Sequence, residues 1–260
     1  MTRQKPTLIQ SRDNPLLKDL RRLALDSTAY RKQGRVWLEG DHLCGAALVR
    51  GQRPAIAVFS ESFWPLAPAE NAQEAIKTIV MPDALWRDIS GLESPARMGF
   101  VLPLPVEQGL DAQAPTVVLD RLQDAGNVGS ILRSASAFGF TQASLPLSAA
   151  ICVKPKAKVL RAGMGAHFAL RLLEGLELQD IDRLAVPLLA TSSHQGDWLH
   201  RAALPWPCAW IMGHEGQGVS PELQLRARQH IRITQPGGEE SLNVGAAAAI
   251  CLHASAAARG

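Results

Sequence analysis

Three short segments concentrate the side chains that can grip a ligand or steer a proton: Asn127-Val-Gly-Ser-Ile-Leu-Arg133, Gly213-His-Glu-Gly-Gln-Gly-Val-Ser220 and Gly237-Gly-Glu-Glu-Ser-Leu-Asn-Val244. Each follows an apolar, strand-like run, as a ligand site at the ends of parallel strands requires. In the first, Gly126 and Gly129 permit close backbone approach at a strand-to-helix turn, whose exposed amides attract anions or polar ligand groups. Asn127 is suited to cap that helix. Val128, Ile131, Leu132, Ala135 and Phe138 keep the spacing of a buried helical stripe, which leaves Arg133 roughly opposite it, free to reach a ligand or water. In the second, three glycines within six residues leave little bulk around Glu215, so the main chain can wrap a flat, adenosine-sized ligand. The same glycines also suit a tight connection that needs positive φ. In the third, Ser241 or Asn243 is placed to cap the last helix.

Commoner chemistries lack an anchor. The chain has no Gly-x-Gly-x-x-Gly turn and no Gly-x-x-x-x-Gly-Lys-Ser/Thr phosphate loop, which disfavours a dehydrogenase or a kinase. Its seven histidines form no His-x-x-x-His pair, and no Gly-x-Ser-x-Gly elbow occurs, so metallohydrolase and serine-hydrolase readings are disfavoured. Cys44, Cys152, Cys208 and Cys251 lie far apart without a Cys-x-x-Cys pair and read as reduced core thiols.

The elements that must position these segments follow from hydrophobic spacing. Thr116–Leu119, Ala143–Leu147, Val186–Thr191, Cys208–Met212 and His230–Ile233 read as strands with helical patterns between most of them, a parallel α/β pattern. Leu242–Ala258 is apolar on nearly every side, so as a helix it must be buried in its domain or against a second subunit. Residues 103–115, with three prolines and a glycine, have the composition of a linker. Before it, Val36–Leu38, Ala55–Phe59, Thr78–Met81 and Met98–Leu102 alternate with helical stretches, which suggests a small α/β domain. Asn14-Pro15 followed by Leu16, Leu17, Leu20, Leu23 and Leu25 predicts a turn and an amphipathic helix with Lys18, Arg21 and Arg22 on its polar side.

Charge is uneven. The net charge is +3 over 260 residues, yet residues 1–35 carry nine Lys/Arg against three acids, a local +6 that leaves −3 for the rest. A positive end of this kind suits attraction to a phosphate backbone, and equally a solvated helix. Lys154, Lys156, Lys158 and Arg161 form a second basic cluster with the same two readings. With 47% hydrophobic residues the chain can build ordinary cores. No apolar run approaches the roughly 20 residues of a membrane span, and the polar start lacks a secretory pattern, so a soluble cytoplasmic protein is expected.

Taken in order, Asn127-x-Gly129-x-x-x-Arg133, Gly213-x-Glu215-Gly216-x-Gly218-Val-Ser220 and Ile233-x-x-x-Gly237-x-x-x-Ser241-Leu-Asn243-Val resemble the three motifs of the SpoU (TrmH) family of RNA ribose 2′-O-methyltransferases. The likeness spans about residues 116–257, and Lys156 with Arg161-Ala-Gly-Met-Gly-Ala166 is similar to the family's stretch between its first two motifs. Ser11-Arg-Asp-Asn-Pro15 and Leu38-Glu-Gly-Asp-His42 resemble its substrate-binding domain, a small ribosomal-protein-like α/β fold. The resemblance implies an RNA-binding domain over 1–105, a linker over 106–115 and a SPOUT domain over 116–260, the last a mostly parallel sheet closed by a trefoil knot.

It further implies S-adenosylmethionine held at Thr191, Gly213, Gly218, Ile233 and Leu242, and a homodimer through the C-terminal domain that completes the active site across its interface, without a metal. Arg133 would stand at the reacting hydroxyl, with Asn127, Glu215, Ser241 and Asn243 shaping the site. A guanidinium is a poor proton acceptor, so orienting phosphate and hydroxyl is the role physics favours for it. Arg12, Lys18, Arg21, Arg22, Lys156 and Arg161 are the implied RNA contacts, with ribosomal RNA favoured over tRNA because the N-terminal part resembles those of rRNA-directed relatives. Thr234 and Gln235 depart from the family's Ile-Pro-Met, and Gly245 stands where serine is common. A base methyltransferase of the same fold and a non-catalytic RNA-binding assembly factor are the rivals; the Asn127/Arg133 pair and the complete set of motifs argue against them.

Overall fold

The structure, a computed structural model, describes residues 5–26, 28–92, 94–104, 108–146, 157–238 and 241–259. The chain forms two units, Met1–Val106 with Pro155–Phe168, and Glu107–Lys154 with Ala169–Gly260.

The first unit begins with β1 (Thr7–Leu8), α1 (Pro15–Leu25), α2 (Ala29–Gln33), β2 (Arg35–Glu39) and α3 (Asp41–Val49). It continues through β3 (Ile56–Ser60), α4 (Ala69–Gln73), β4 (Lys77–Met81), α5 (Asp83–Ile89) and β5 (Met98–Pro103). Its five strands form a mixed sheet in the order β1-β4-β3-β5-β2, with β5 antiparallel to both neighbours. The core joins Leu38, Phe59, Val80 and Phe100 of the sheet to Leu43 and Ala47 of α3. Helix α1 starts where its sequence dictates: the Asn14 side chain accepts the Leu16 amide at 2.9 Å, and Pro15 occupies the first turn, where its missing N–H costs nothing. Leu17, Leu20 and Leu23 are buried, so Lys18, Arg21 and Arg22 are left on the exposed face.

The second unit opens with β6 (Thr116–Leu119), α6 (Ala125–Ala137) and β7 (Gln142–Pro146); α7 (Ala157–Gly163), next along the chain, lies with the first unit. Then come β8 (Arg171–Leu176), α8 (Leu178–Ile181), β9 (Leu188–Thr191), β10 (Asp197–Trp198), β11 (Ala209–Met212), α9 (Pro221–Arg226), β12 (Gln229–Arg232) and α10 (Val244–Ala257). Seven strands lie in the order β10-β12-β9-β11-β6-β7-β8, and every described pairing among them is parallel. The five strands expected from the sequence are present with ends shifted by up to two residues, and β8 and β10 join them. Thr116–Leu119 and Ala209–Met212 are buried along their whole length, which is why they read as continuous apolar runs rather than alternating ones.

Helix α10 packs on α6 and on β11, where the Trp210 indole N–H donates to Ser255 Oγ at 2.8 Å. Gly245, Ala248, Cys251, Leu252 and Ser255 are buried, whereas Ala246, Ile250, His253 and Ala257 form an exposed stripe. The apolar helix is therefore half covered within one chain. Cys44, Cys208 and Cys251 are buried free thiols, and burial raises the last two to about 11 and about 12, which favours the protonated thiol at neutral pH. Cys152 lies outside the described residues.

Candidate active site

Because the strands are parallel, the segments leaving β6, β9, β11 and β12 emerge at one edge of the sheet. From β6 the chain runs through β7 to β8 on one side, and after β8 it re-enters as β9 on the other side, where β11 and β12 also lie, a reversal of strand order at which open α/β sheets bind ligands.

The segment after β6 enters α6 through Asp124, whose side chain accepts the Asn127 amide at 2.9 Å. This corrects the expectation for Asn127: Asp124 caps the helix, and Asn127 lies inside the first turn with its carboxamide free for other work. Val128, Ile131, Leu132 and Ala135 are buried and Arg133 is exposed, as their spacing predicts, whereas Phe138 is the partly buried residue that closes the helix. Arg133 makes no hydrogen bond or ion pair among the described residues.

One chain of hydrogen bonds joins all three motifs. The Glu215 carboxylate accepts from the amides of Gln123 and Asp124, at 3.1 Å each by the shorter contact, and from Asn127 Nδ2 at 3.1 Å. Asn127 Oδ1 in turn accepts from Asn243 Nδ2 at 3.1 Å, and Asn243 Oδ1 caps α10 by accepting from Gly245 and Ala246 at 2.9 and 3.2 Å. Asn243 and not Ser241 is thus the cap. The bonding partners at both ends decide which way each carboxamide faces. Gly245 completes the corner: a β-carbon there would stand 3.1 Å from Asn243 Oδ1 and 3.7 Å from Asn127 Oδ1, so a larger residue would press on this junction.

Partial burial pushes the Glu215 carboxyl up, but the Asn127 side chain and the amides of Asp124, Glu215 itself and Gln123 outweigh it, so its pKa lies below the ordinary 4.5. A depressed carboxyl stabilises the fold fully above its unfolded pKa, near 4.5, and loses that contribution as pH falls through the folded value. The stability difference between wild type and Glu215→Gln, read from urea midpoints, is therefore expected to be constant near neutrality and to shrink below about pH 4.5. For a group this exposed it should stay below about 1 kcal/mol. A difference that grows on acidification would contradict the ionised role.

Beside this junction lies an open pocket of about 430 Å³, within the range of small-ligand sites. Thr191, Gly213, Gly218, Ile233 and Leu242 all line it, as do Glu215 and Ser241. Asn127, Asn243 and Arg133 are not among its lining residues. Gly213 is required by close approach: a β-carbon on it would fall 2.2 Å from Gly218 C and from Val219 N. Thr191 is held by its hydroxyl, which donates to the Ile211 carbonyl at 3.0 Å. Where the sequence departs from Ile-Pro-Met, Thr234 Oγ1 pairs with His200 Nδ1 at 3.0 Å, a side-chain tie at the position where the family has proline.

Two further residues escaped the sequence reading. Asp120, 1% exposed at the end of β6, accepts the Ser220 amide at 2.6 Å. Arg121, held at φ 58, reaches Gln217 Oε1 at 3.0 Å and the Gly218 carbonyl at 3.3 Å. A positive φ on a non-glycine residue is uncommon, and here it aims a side chain at the loop that forms the pocket wall. The signal available was an acid followed by a cation directly after an apolar strand. Their partners lie about a hundred residues away, and spacing does not register that distance.

In the first unit Lys18, Arg21 and Arg22 are exposed, but Lys18 pairs with Asp13 at 3.0 Å and Arg12 with Asp88 at 3.1 Å. Arg161 is exposed on α7, and Lys156 lies outside the described residues. Among the described residues no His/Cys/Asp/Glu group has the arrangement of a metal site, and no helix is long and apolar enough to cross a membrane.

The sequence model of the SpoU rRNA Methylase family matches residues 114–253. A tRNA/rRNA methyltransferase of Synechocystis sp., itself uncharacterized, is 34% identical over 94% of this chain and 92% of its own length. The Bacillus subtilis 23S rRNA (guanosine(2553)-2′-O)-methyltransferase RlmP is 26% identical over 94% of this chain and 97% of its own. Among solved structures, an RNA 2′-O ribose methyltransferase superposes with a TM-score of 0.80 at 27% identity, covering 97% of this chain and 99% of that one. An rRNA methyltransferase of Sinorhizobium meliloti solved with bound AdoMet shares the fold, with a TM-score of 0.80 at 23% identity over 96% of this chain and 97% of its own.

Proposed function

The chain belongs to the SpoU rRNA methylase family, and from that premise we propose that it is an S-adenosylmethionine-dependent enzyme that methylates a ribose 2′-hydroxyl of structured RNA, ribosomal RNA rather than tRNA. The observation that carries this reading is the hydrogen-bond chain Glu215–Asn127–Asn243, which ties the three motif loops together beside one adenosine-sized pocket.

The pocket fits the cofactor: glycine backbone at Gly213 and Gly218, aliphatic walls from Ile233 and Leu242, and hydroxyl and carboxylate groups from Thr191, Ser192 and Glu215. When bound, the cofactor supplies an electrophilic methyl carbon on its sulfonium. The protein's tasks are then to hold acceptor and donor in line and to steer one proton. Glu215 is ionised and already accepts three N–H groups, so it stiffens the site rather than moving that proton. Arg133 keeps its guanidinium unengaged among the described residues, and its five donors can orient an RNA phosphate and the 2′-hydroxyl. Ser241 shapes the pocket rim.

Two features of the single chain support a homodimer. Arg133 does not line the pocket of its own chain, and the α10 stripe of Ala246, Ile250, His253 and Ala257 is exposed. A second copy seated on α10 would cover that stripe and bring Arg133 to the partner's pocket. The C-terminal segment is taken to thread the loop after β11 as a trefoil knot, which the shared placement of residues 213–219 and 233–244 around one pocket supports. The first unit is the RNA-binding domain.

The test of the activity is incubation with methyl-labelled S-adenosylmethionine and a structured rRNA, then digestion to nucleosides. Label in a 2′-O-methylnucleoside is expected; label in a base, or none, overturns the reading. For the first unit, neutralising Lys18, Arg21 and Arg22 together is expected to weaken RNA binding about tenfold or more and to flatten its salt dependence. Since Lys18 is already paired with Asp13, the slope should fall by nearer two charges than three. A filter-binding salt titration with an unchanged slope would return α1 to the role of a solvated helix.

A further inference from the structure

Arg121, two residues beyond β6, sits in the left-handed backbone region at φ 58. A non-glycine side chain is strained there, and such strain persists only where the surroundings hold it, which is why it gathers around ligand sites. Along extended chain, neighbouring side chains point to opposite faces, so ordinary strand geometry would carry Arg121 away from whatever Asp120 touches. The turn at Arg121 instead brings both onto one segment. Asp120 accepts the Ser220 amide at 2.6 Å, while Arg121 donates to Gln217 Oε1 at 3.0 Å and to the Gly218 carbonyl at 3.3 Å. Asp120 Oδ1 also accepts from Arg121 Nε at 3.3 Å, a bond that orients the guanidinium.

The segment so held has little stiffness of its own. Between β11 and α9 it contains Gly213, Gly216 and Gly218, and glycine loses more conformational freedom on ordering than any other residue. Its internal ties form a narrow turn: His214 and Gly218 exchange amide-to-carbonyl bonds at 3.0 and 2.9 Å, and His214 Nδ1 accepts from the amides of Gly216 and Gln217 at 2.9 and 3.2 Å. Glu215 and Ser220 fasten it to the segment after β6, and Arg121 adds the grip on Gln217 and Gly218. Gln217 and Gly218 line the pocket, whereas Arg121 is not among its lining residues. Any effect of Arg121 on a ligand therefore passes through the loop.

We propose that Arg121 is a positioning residue for cofactor binding: its guanidinium holds Gln217 and Gly218 in the binding shape before the ligand arrives, so binding does not have to order the loop. The inference rests on the cofactor reading above. It separates two properties of one residue, since the strain belongs to the backbone and the affinity to the side chain.

Substitution can divide them. Arg121→Ala and Arg121→Gly delete the same side-chain bonds, but only glycine relaxes at φ 58. Titrated calorimetrically with S-adenosylhomocysteine, both full-length variants are expected to bind about tenfold more weakly than wild type. Arg121→Gly should nevertheless have the higher urea midpoint of the two, and it covers the case in which the alanine variant fails to fold. In steady-state assays KM for S-adenosylmethionine should rise about tenfold while kcat changes by less than about twofold. Arg121→Lys, whose ammonium keeps the charge without the fork, should recover part of the affinity. Wild-type affinity in Arg121→Gly would mean that affinity follows backbone strain and not the guanidinium, and it overturns the proposal, as does a fall in kcat at unchanged KM. Failure of the wild-type protein to bind S-adenosylhomocysteine overturns the cofactor reading and this inference with it.

Discussion

Replacing Arg133 with alanine is expected to slow methyl transfer about a thousandfold, the scale seen when a single oriented donor is removed from a transition state, and to leave affinity for S-adenosylhomocysteine unchanged. The separation of the two effects follows from geometry. Arg133 is exposed, unpaired among the described residues and outside the cofactor pocket of its own chain, so its removal leaves the groups that line that pocket in place. It faces away from the buried stripe of Val128, Ile131, Leu132 and Ala135, so α6 should keep its packing. Single-turnover rates and calorimetry on the same preparation separate the two quantities. Arg133→Lys should recover little, since an ammonium cannot present the planar fork that engages phosphate and hydroxyl together. Activity near wild type in Arg133→Ala would remove the residue from the site.

Gly213→Ala should do the reverse, abolishing cofactor binding by a local clash. The new methyl group would lie 2.2 Å from the backbone carbon of Gly218 and the backbone nitrogen of Val219, and neither can rotate away as a flexible side chain could. The loop 213–219 must open, and that loop is a wall of the pocket. Overpacking of this kind costs about 1–3 kcal/mol, which a well-packed sheet tolerates, so the variant should fold with a lower melting temperature and bind S-adenosylhomocysteine at least about a hundredfold more weakly. Wild-type affinity in a folded Gly213→Ala protein would show that the loop does not wrap the ligand.

Much of this site was legible in the sequence because its elements are local. Each motif pairs an apolar strand with a glycine-bearing turn, and all five residues implied for the cofactor, Thr191, Gly213, Gly218, Ile233 and Leu242, share one pocket. What escaped was governed by distance along the chain. Asp124 and Asn127 are both able to cap a helix, and the choice between them is coupled to Glu215, which accepts both the Asp124 amide and the Asn127 side chain from almost ninety residues away. Asp120 and Arg121 act on Ser220, Gln217 and Gly218, which spacing near β6 does not reveal. Strand β8 was missed because Glu174 and Gly175 interrupt its alternation, and β10 because two residues carry no period. The nearly all-apolar Leu242–Ala258 predicts burial in its own domain or against a second subunit; one stripe of α10 is exposed in the single chain, and a second copy of the chain is the occupant proposed for it.

A crystal structure of the protein grown with S-adenosylhomocysteine tests the convergence of the three loops most directly. Density for the ligand is expected between the loops after β9, β11 and β12, against Thr191, Gly213, Gly218, Ile233 and Leu242, with the Glu215–Asn127–Asn243 chain intact beside its sulfur. Ligand density on another face of the chain, with that pocket filled only by water, would contradict it.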